Sequence, residues 1–229
     1  MLNAGTLSVF FVGYLLGSLP FGYLVARARG VDIFKAGSGN PGATNVKRVL
    51  GAKAGHTVFA LDALKGAAAA AWPLGLAWLT IHYSKALAEF EPAGRADEIV
   101  EIWRDARLQA LVCLVAAVLG HAFSVFTNFK GGKGVATTAG GLVVLMPVSC
   151  AIGAAVWGLA FVTTRYASLG SILAAIAVPA ASWLRGNPLP LNLAATILGL
   201  FVIVRHRANI QRLLNGTEHK LVKPPPAPG

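Results

Sequence analysis

The chain has 229 residues, of which 55% are hydrophobic and only 13% charged, and it carries a formal net charge of +11. An average soluble domain is about 25% charged, so there are too few charges here to coat a soluble fold, and the long apolar runs call for lipid as their solvent. Gly and Pro follow no triplet period and no heptad is sustained, which excludes collagen and coiled coil; Cys113 and Cys150 both lie inside apolar runs, which excludes a disulfide scaffold and a thiolate metal site.

A bilayer core of about 30 Å takes about 20 helical residues to cross. The first apolar run covers residues 7–28. Its Ala26-Arg27-Ala28 end mimics a leader-peptide cleavage site, but no Lys or Arg precedes it and the run is long for a leader, so it reads as a retained span. Residues 58–80, 108–126, 169–184 and 191–204 read as further spans. The run 135–164 is too long for one upright helix and holds Pro147 near its middle; one kinked span or two short ones both fit it. Charge decides between them. With two spans there, seven in all, 14 of the 20 Lys and Arg fall on one side. Positive charge collects on the cytoplasmic side, so the expectation is an all-α protein with seven transmembrane helices, a periplasmic N-terminus and a cytoplasmic C-terminus. The whole chain, 1–229, reads as a single integral-membrane domain. A charged insert at 82–107 is expected outside, as a loop with a short amphipathic helix near 99–103, and a Pro-rich tail at 219–229 is expected to fray.

Three polar islands fall on the expected cytoplasmic side. The first is Gly37-Ser38-Gly39-Asn40-Pro41-Gly42-Ala43-Thr44-Asn45, followed by Lys47 and Arg48. Its G-x-G-x-x-G spacing is a poor dinucleotide fingerprint, because it follows a membrane helix and not a strand. An ordinary turn explains the Gly, Asn, Pro and Ser. An anion nest explains them as well, with converging N–H groups, the hydroxyls of Ser38 and Thr44, and the charge of Arg48.

The second island runs from His121 and Ser124 to Phe129-Lys130-Gly131-Gly132-Lys133-Gly134. It lacks the Walker spacing, yet its glycines let backbone approach a phosphate, its lysines bring ammonium groups, and a following helix would aim its N-terminus at the ligand. A loop attracted to anionic headgroups is the plainer alternative. The third, Arg205-His206-Arg207-Ala208-Asn209-Ile210-Gln211-Arg212, puts His206, Asn209 and Arg212 on one helical stripe. A basic stop signal needs no such amide and imidazole. Glu218 is positioned to hold Arg212 or a lysine. Inside the second span, Asp62 and Lys65 stand at i, i+3, which suits a neutralising structural pair. Ser168 and Ser171 begin the sixth span, where serines commonly cap helices.

Only Asp32 and Glu218 are acidic on that side. Paired-carboxylate hydrolysis and an acid-rich metal site are therefore disfavoured, and the substrate should be anionic. There is no G-x-S-x-G elbow, and no histidine has an acid at the H-x-x-x-x-D offset. What remains is a site that positions phosphate-bearing substrates at a membrane.

Together Ser38-Gly39-Asn40-x-Gly42-Ala43-Thr44-Asn45, then Gly120-His121-x-Phe123-Ser124 through Phe129-Lys130-Gly131-Gly132-Lys133-Gly134, and His206-x-x-Asn209-Ile210-x-Arg212 with Gly216 and Glu218 resemble the bacterial acyl-phosphate:glycerol-3-phosphate acyltransferase family. The resemblance implies a seven-span inner-membrane enzyme with cytoplasmic motif loops. It implies acyl transfer from a fatty acyl phosphate to the 1-hydroxyl of glycerol 3-phosphate, the first step of phospholipid synthesis. It also implies Ser38, Arg48, Lys133, Ser171, His206 and Asn209 around glycerol phosphate, and Lys130 with the backbone of Gly131, Gly132 and Gly134 at the acyl phosphate. Asn40, Thr44, Asn45, His121, Ser168 and Arg212 complete the expected substrate-binding set. His206 and the substrate's own phosphate are equal candidates for the base. Neither cofactor nor metal is expected, nucleic acid is not an expected partner, and a soluble phosphate:acyl carrier protein acyltransferase would supply the donor. The insert 82–107 is longer than the family pattern leads one to expect. Two other classes share the basic loops: an organophosphate carrier, which usually shows an internal repeat absent here, and an anchor for anionic lipid, which needs the charge but not the three motifs.

Overall fold

The computed structural model describes residues 4–87 and 95–221, and every regular element among them is helical. The chain divides into two compact units, Met1–Pro147 and Val148–Gly229.

The first unit contains α1 (Ala4–Ser18), α2 (Phe21–Arg27), α3 (Ala43–Leu50), α4 (Ala52–Leu87), α5 (Arg95–Ala122) and α6 (Val135–Leu145). Lipid tails are as apolar as leucine, so helices in a membrane associate by close packing instead of hydrophobic burial, and small residues set how close they come. The seam between α1 and α5 follows that rule. A methyl group on Gly17 would fall 1.9 Å from the Ala117 carbonyl oxygen, one on Gly13 2.3 Å from that of Cys113, and one on Gly120 2.2 Å from that of Tyr14. α4 closes on α6 in the same way, through Gly66 against Thr137 and Gly140 against Ala63. Trp72 of α4 donates its indole N–H to Cys113 Sγ at 3.1 Å. Pro20 separates α1 from α2, and the freed Leu19 carbonyl accepts from Lys65 Nζ of α4 at 2.9 Å.

The second unit contains α7 (Pro147–Thr164), α8 (Ala167–Leu184), α9 (Leu189–Arg205) and α10 (Arg207–Leu214). α8 and α9 form a hairpin with Gly199 set against the Ala175 carbonyl. A knot of neutral polar groups ties its turn: Ser182 Oγ donates to Asn192 Oδ1 at 2.6 Å, and Asn192 Nδ2 to the Asn187 carbonyl at 2.7 Å.

Among the described residues, five helices or helix pairs are long and apolar enough to cross a bilayer: Gly5–Arg27, Ala52–Tyr83, Asp97–Thr127, Pro147–Thr164 and Ala167–Leu184. A sixth is reached if α9 and α10, bent by 58°, count as one. This is a membrane protein. The run 135–164 is broken at Met146, with Pro147 starting α7, where its missing N–H costs nothing. At 11 residues α6 is about 16 Å long, half a hydrocarbon core. The expected insert differs more. Residues 82–87 continue α4 and 95–107 are the opening turns of α5, so the piece near 99–103 is no separate helix. Asp97 and Glu98 favour the N-terminus of α5 through its dipole, and Glu101 pairs with Arg104 one turn on. Glu89 and Glu91 lie outside the described residues, as does most of the Pro-rich tail.

Gly17→Leu should separate α1 from α5 and cost roughly 3 kcal/mol, read as a lowered thermal midpoint of the purified protein. Gly75→Ala in α4 serves as the control. Nothing lies within 4 Å of its new methyl, so helix propensity should leave the midpoint equal or higher.

Candidate functional site

In the first unit the loop before α3 is wound around one amide. Asn45 is buried. Its Nδ2 donates to the Ala36 carbonyl at 3.0 Å, while its Oδ1 accepts from Ser38 N at 2.8 Å and Arg48 Nη1 at 3.4 Å. Gly37 and Gly39 take positive φ of 59° and 68°, which glycine adopts without steric cost. A methyl on Gly37 would also collide with Asn45 Oδ1. Asn45 is therefore spent on shaping the loop, whereas Ser38 and Thr44 are exposed and Arg48 is half-buried against a neutral amide.

The second island meets the first. Asn40 Nδ2 donates to the Gly131 carbonyl at 3.4 Å, and Asn40 Oδ1 accepts from Gly42 N at 2.8 Å. Between α5 and α6 the chain makes a 3-10 turn at Val125–Thr127. Ser124 holds it in place: its hydroxyl donates to the Ser18 carbonyl at 2.5 Å and accepts from Phe126 N at 3.2 Å. Thr127 Oγ1 donates to the Lys130 carbonyl at 2.6 Å. Asn128 and Phe129 both adopt left-handed φ, 51° and 60°, a conformation that costs about 1–3 kcal/mol for each and is over-determined here by these bonds. Lys130 is exposed and Lys133 half-buried. Directly after them α6 starts behind Gly134, φ 84°, with no side chain capping its N–H groups. Two glycine loops, three cations and a helix N-terminus thus occupy one region of the first unit, an arrangement suited to phosphate.

His121, at the end of α5, turns inward. Its Nδ1 lies 3.5 Å from Asp62 Oδ1, and Asp62 pairs with Lys65 at 2.8 Å. The pair expected from the sequence is present, but it is a triad with the histidine. A small cavity of about 20 Å³ beside it, bordered also by Ser124, Lys130, Gly131 and Gly132, has room for one water.

In the second unit the third island bends at His206. Its φ of −95° and ψ of 7° end α9 and launch α10, so the expected continuous helix is kinked, and Asn209 and Arg212 follow on α10. His206 is buried and its Nδ1 is 2.7 Å from the Val202 carbonyl. A carbonyl only accepts, so Nδ1 bears a proton. Glu218 joins the remaining groups. Oε1 accepts from Asn209 Nδ2 at 2.7 Å and Ser168 Oγ at 2.8 Å, and Oε2 accepts from Arg212 Nε at 2.7 Å. Ser168 thus ties α8 to α10 instead of capping its own helix. Ser171 Oγ donates to the Ala167 carbonyl at 2.8 Å and accepts from Trp157 Nε1 at 3.3 Å, a partner that no motif in the sequence announced.

Burial of the Glu218 side chain, 6% exposed, pushes its carboxyl up, but bonds from Asn209, Ser168 and Arg212 outweigh this and hold it below its ordinary value of 4.5. A lowered folded value means stability that is full above the ordinary value and is lost as pH falls through the folded one. Thermal midpoints of the wild type should therefore decline on acidification, and those of Glu218→Gln should start lower at neutral pH and decline less.

The profile of the family described as glycerol-3-phosphate acyltransferase matches residues 7–216. Among curated relatives, the glycerol-3-phosphate acyltransferase of Sinorhizobium medicae is 40% identical, over 94% of this chain and 92% of its own. That of Nostoc sp. is 41% identical, over 93% and 91%. The crystal structure of the integral membrane glycerol 3-phosphate acyltransferase PlsY in its glycerol 3-phosphate form is similar at a TM-score of 0.77 and 37% identity, covering 95% of this chain and 96% of the other. The lysophosphatidic acid form of PlsY gives 0.74 at the same identity, covering 95% of each chain. Matched along nearly its whole length by profile, sequence and structure, the chain belongs to the glycerol-3-phosphate acyltransferase family.

Proposed function

We propose that this protein transfers a fatty acyl group from acyl phosphate to the 1-hydroxyl of glycerol 3-phosphate, giving lysophosphatidate and inorganic phosphate. The observation that carries the reading is the union of the two glycine loops through Asn40 and Gly131, with Arg48, Lys130, Lys133 and the uncapped start of α6 in the same unit. Relatives solved in glycerol 3-phosphate and lysophosphatidic acid forms supply the acceptor and the product of the same reaction.

An acyl phosphate is a mixed anhydride with a good leaving group, so a covalent enzyme intermediate is unnecessary. The acceptor hydroxyl oxygen forms a bond to the acyl carbon, the carbon–oxygen bond to phosphate breaks, and inorganic phosphate leaves with the electron pair. Orientation of two bound substrates is worth about 7–11 kcal/mol. Ser38, Arg48, Lys133, Ser171, His206 and Asn209 serve the acceptor. Lys130 and the Gly131, Gly132 and Gly134 backbone neutralise the acyl phosphate or the oxyanion. Thr44 and the organising residues Asn40, Asn45, His121, Ser168 and Arg212 complete the set. The hydroxyl proton goes to His206 Nε2, the ring nitrogen opposite the Val202 bond, or to the acceptor's own phosphate.

The chain works as a single domain in the inner membrane with seven crossings, α6 being one short crossing and the motif loops facing the cytoplasm. The N-terminus and the segment 82–107 then face outward. A soluble phosphate:acyl carrier protein acyltransferase makes the donor. No cofactor is called for by this chemistry.

Purified protein given acyl phosphate and labelled glycerol 3-phosphate should form labelled lysophosphatidate; absence of that product would sink the reading, and a carrier or lipid anchor would give none. Arg48→Ala and Lys133→Ala should each raise KM for glycerol 3-phosphate and lower kcat/KM at least tenfold. His206→Ala separates the two proton acceptors: loss of the acidic limb of the pH–rate profile marks the imidazole, and a retained limb marks the substrate phosphate.

A further inference from the structure

Asp62 lies about three turns into α4, away from every motif in the sequence, yet through its partners it joins the α1–α2 break, the end of α5 and the glycine–lysine loop. Its side chain is 4% exposed and that of Lys65 is 3% exposed. Lys65 links the carboxylate to the α1–α2 break, where Nζ donates to the Leu19 carbonyl at 2.9 Å and lies 5.5 Å from the centre of the Phe21 ring. His121 links it to the glycine–lysine loop. While His121 Nδ1 faces Asp62 at 3.5 Å, the Nε2 edge of the ring abuts Gly132 so closely that a methyl there would fall 2.1 Å from it. The backbone of the same residue is engaged too, since Gly132 N donates to the His121 carbonyl at 3.1 Å, and Gly131 sits against that carbonyl without space for a methyl. Ionisable groups buried in a membrane are costly. A simple neutral pair would have cancelled Lys65; what the third member adds is a defined ring orientation beneath Gly132.

We propose that Asp62 is a positioning residue for acyl transfer: acting through His121, it fixes the Lys130–Gly134 backbone in the form that receives the phosphoryl end of the acyl donor. Lys65 secures the other flank of the same pocket. This rests on the acyl-phosphate reading above. With the carboxylate neutralised, the imidazole loses its orienting partner and the Gly131–Gly132 segment loses its floor, while Ser38 and Arg48, held by Asn45, keep their places.

The test combines hydrogen–deuterium exchange with kinetics on the full-length protein in detergent micelles. Asp62→Asn should speed amide exchange across residues 130–134 by tenfold or more and leave the α1–α5 seam as protected as in the wild type. KM for acyl phosphate should rise at least tenfold, with KM for glycerol 3-phosphate within twofold, and Asp62→Glu should recover part of the loss. Removing one member of a buried pair strands the other, so Asp62→Asn/Lys65→Met, which leaves no unpaired ammonium, carries the same expectation if the single variant does not fold. Unchanged exchange at 130–134 in a folded variant would overturn this role, and so would uniform loosening with both KM values rising together. Should the wild type turn over no acyl phosphate, the activity reading fails on that result alone, and the exchange comparison still decides whether Asp62 positions the loop.

Discussion

Hydrocarbon offers no hydrogen bonds, so a chain that interrupts its helices inside a membrane must satisfy each freed backbone group from its own side chains. Most of what distinguishes this protein follows from that constraint. The Leu19 carbonyl at the α1–α2 break takes the Lys65 ammonium, the neighbouring Ser18 carbonyl takes the Ser124 hydroxyl, and the Phe123 carbonyl at the end of α5 takes the Tyr14 hydroxyl. At the kink between α9 and α10, the His206 ring adds a second bond to the Val202 carbonyl, which already accepts from His206 N at 3.1 Å. Irregular backbone is where N–H groups and flexible cations become available to a ligand, and the residues that repair the breaks stand beside those that would bind it.

The scarcity of acids has a related logic. Among the described residues, two well-buried carboxylates face partners from inside the protein: Asp62 meets Lys65 and His121, and Glu218 meets Arg212, Asn209 and Ser168. Arg48 rests on an amide oxygen instead. An anion arriving at the first unit would meet in Arg48 a guanidinium whose side-chain contact is a neutral amide and not a carboxylate.

How much of this was legible in the sequence depended on the range of each interaction. Span positions were readable because hydropathy is additive along the chain, and Pro147 correctly marked a break between α6 and α7. The three polar islands were readable because turn and charge residues are concentrated there. Charge in the segment 82–107 suggests a loop around a short helix near 99–103, whereas over its described part Asp97, Glu98 and the Glu101–Arg104 pair stabilise helix locally and extend α5 back to Arg95. Asp62 with Lys65 could be seen as an i, i+3 pair, but His121 is remote in sequence and no spacing rule joins it to them. Likewise the role of Asn45 as the amide around which the first loop is wound emerges only when its bonds to Ala36 and Ser38 are in view. Trp157 behind Ser171, and the Ser182–Asn192–Asn187 knot, carry no local signature at all.

The seam of Gly13, Gly17 and Gly120 touches no ligand-binding group directly, but it fixes the height at which Ser18 meets Ser124, and hence where the turn leading to Lys130 begins. Spare volume there is nil. A side chain added at any of the three would push the seam apart, so a collection of inactive variants would mix lesions of the scaffold with lesions of the reaction and would need a folding measurement to sort them.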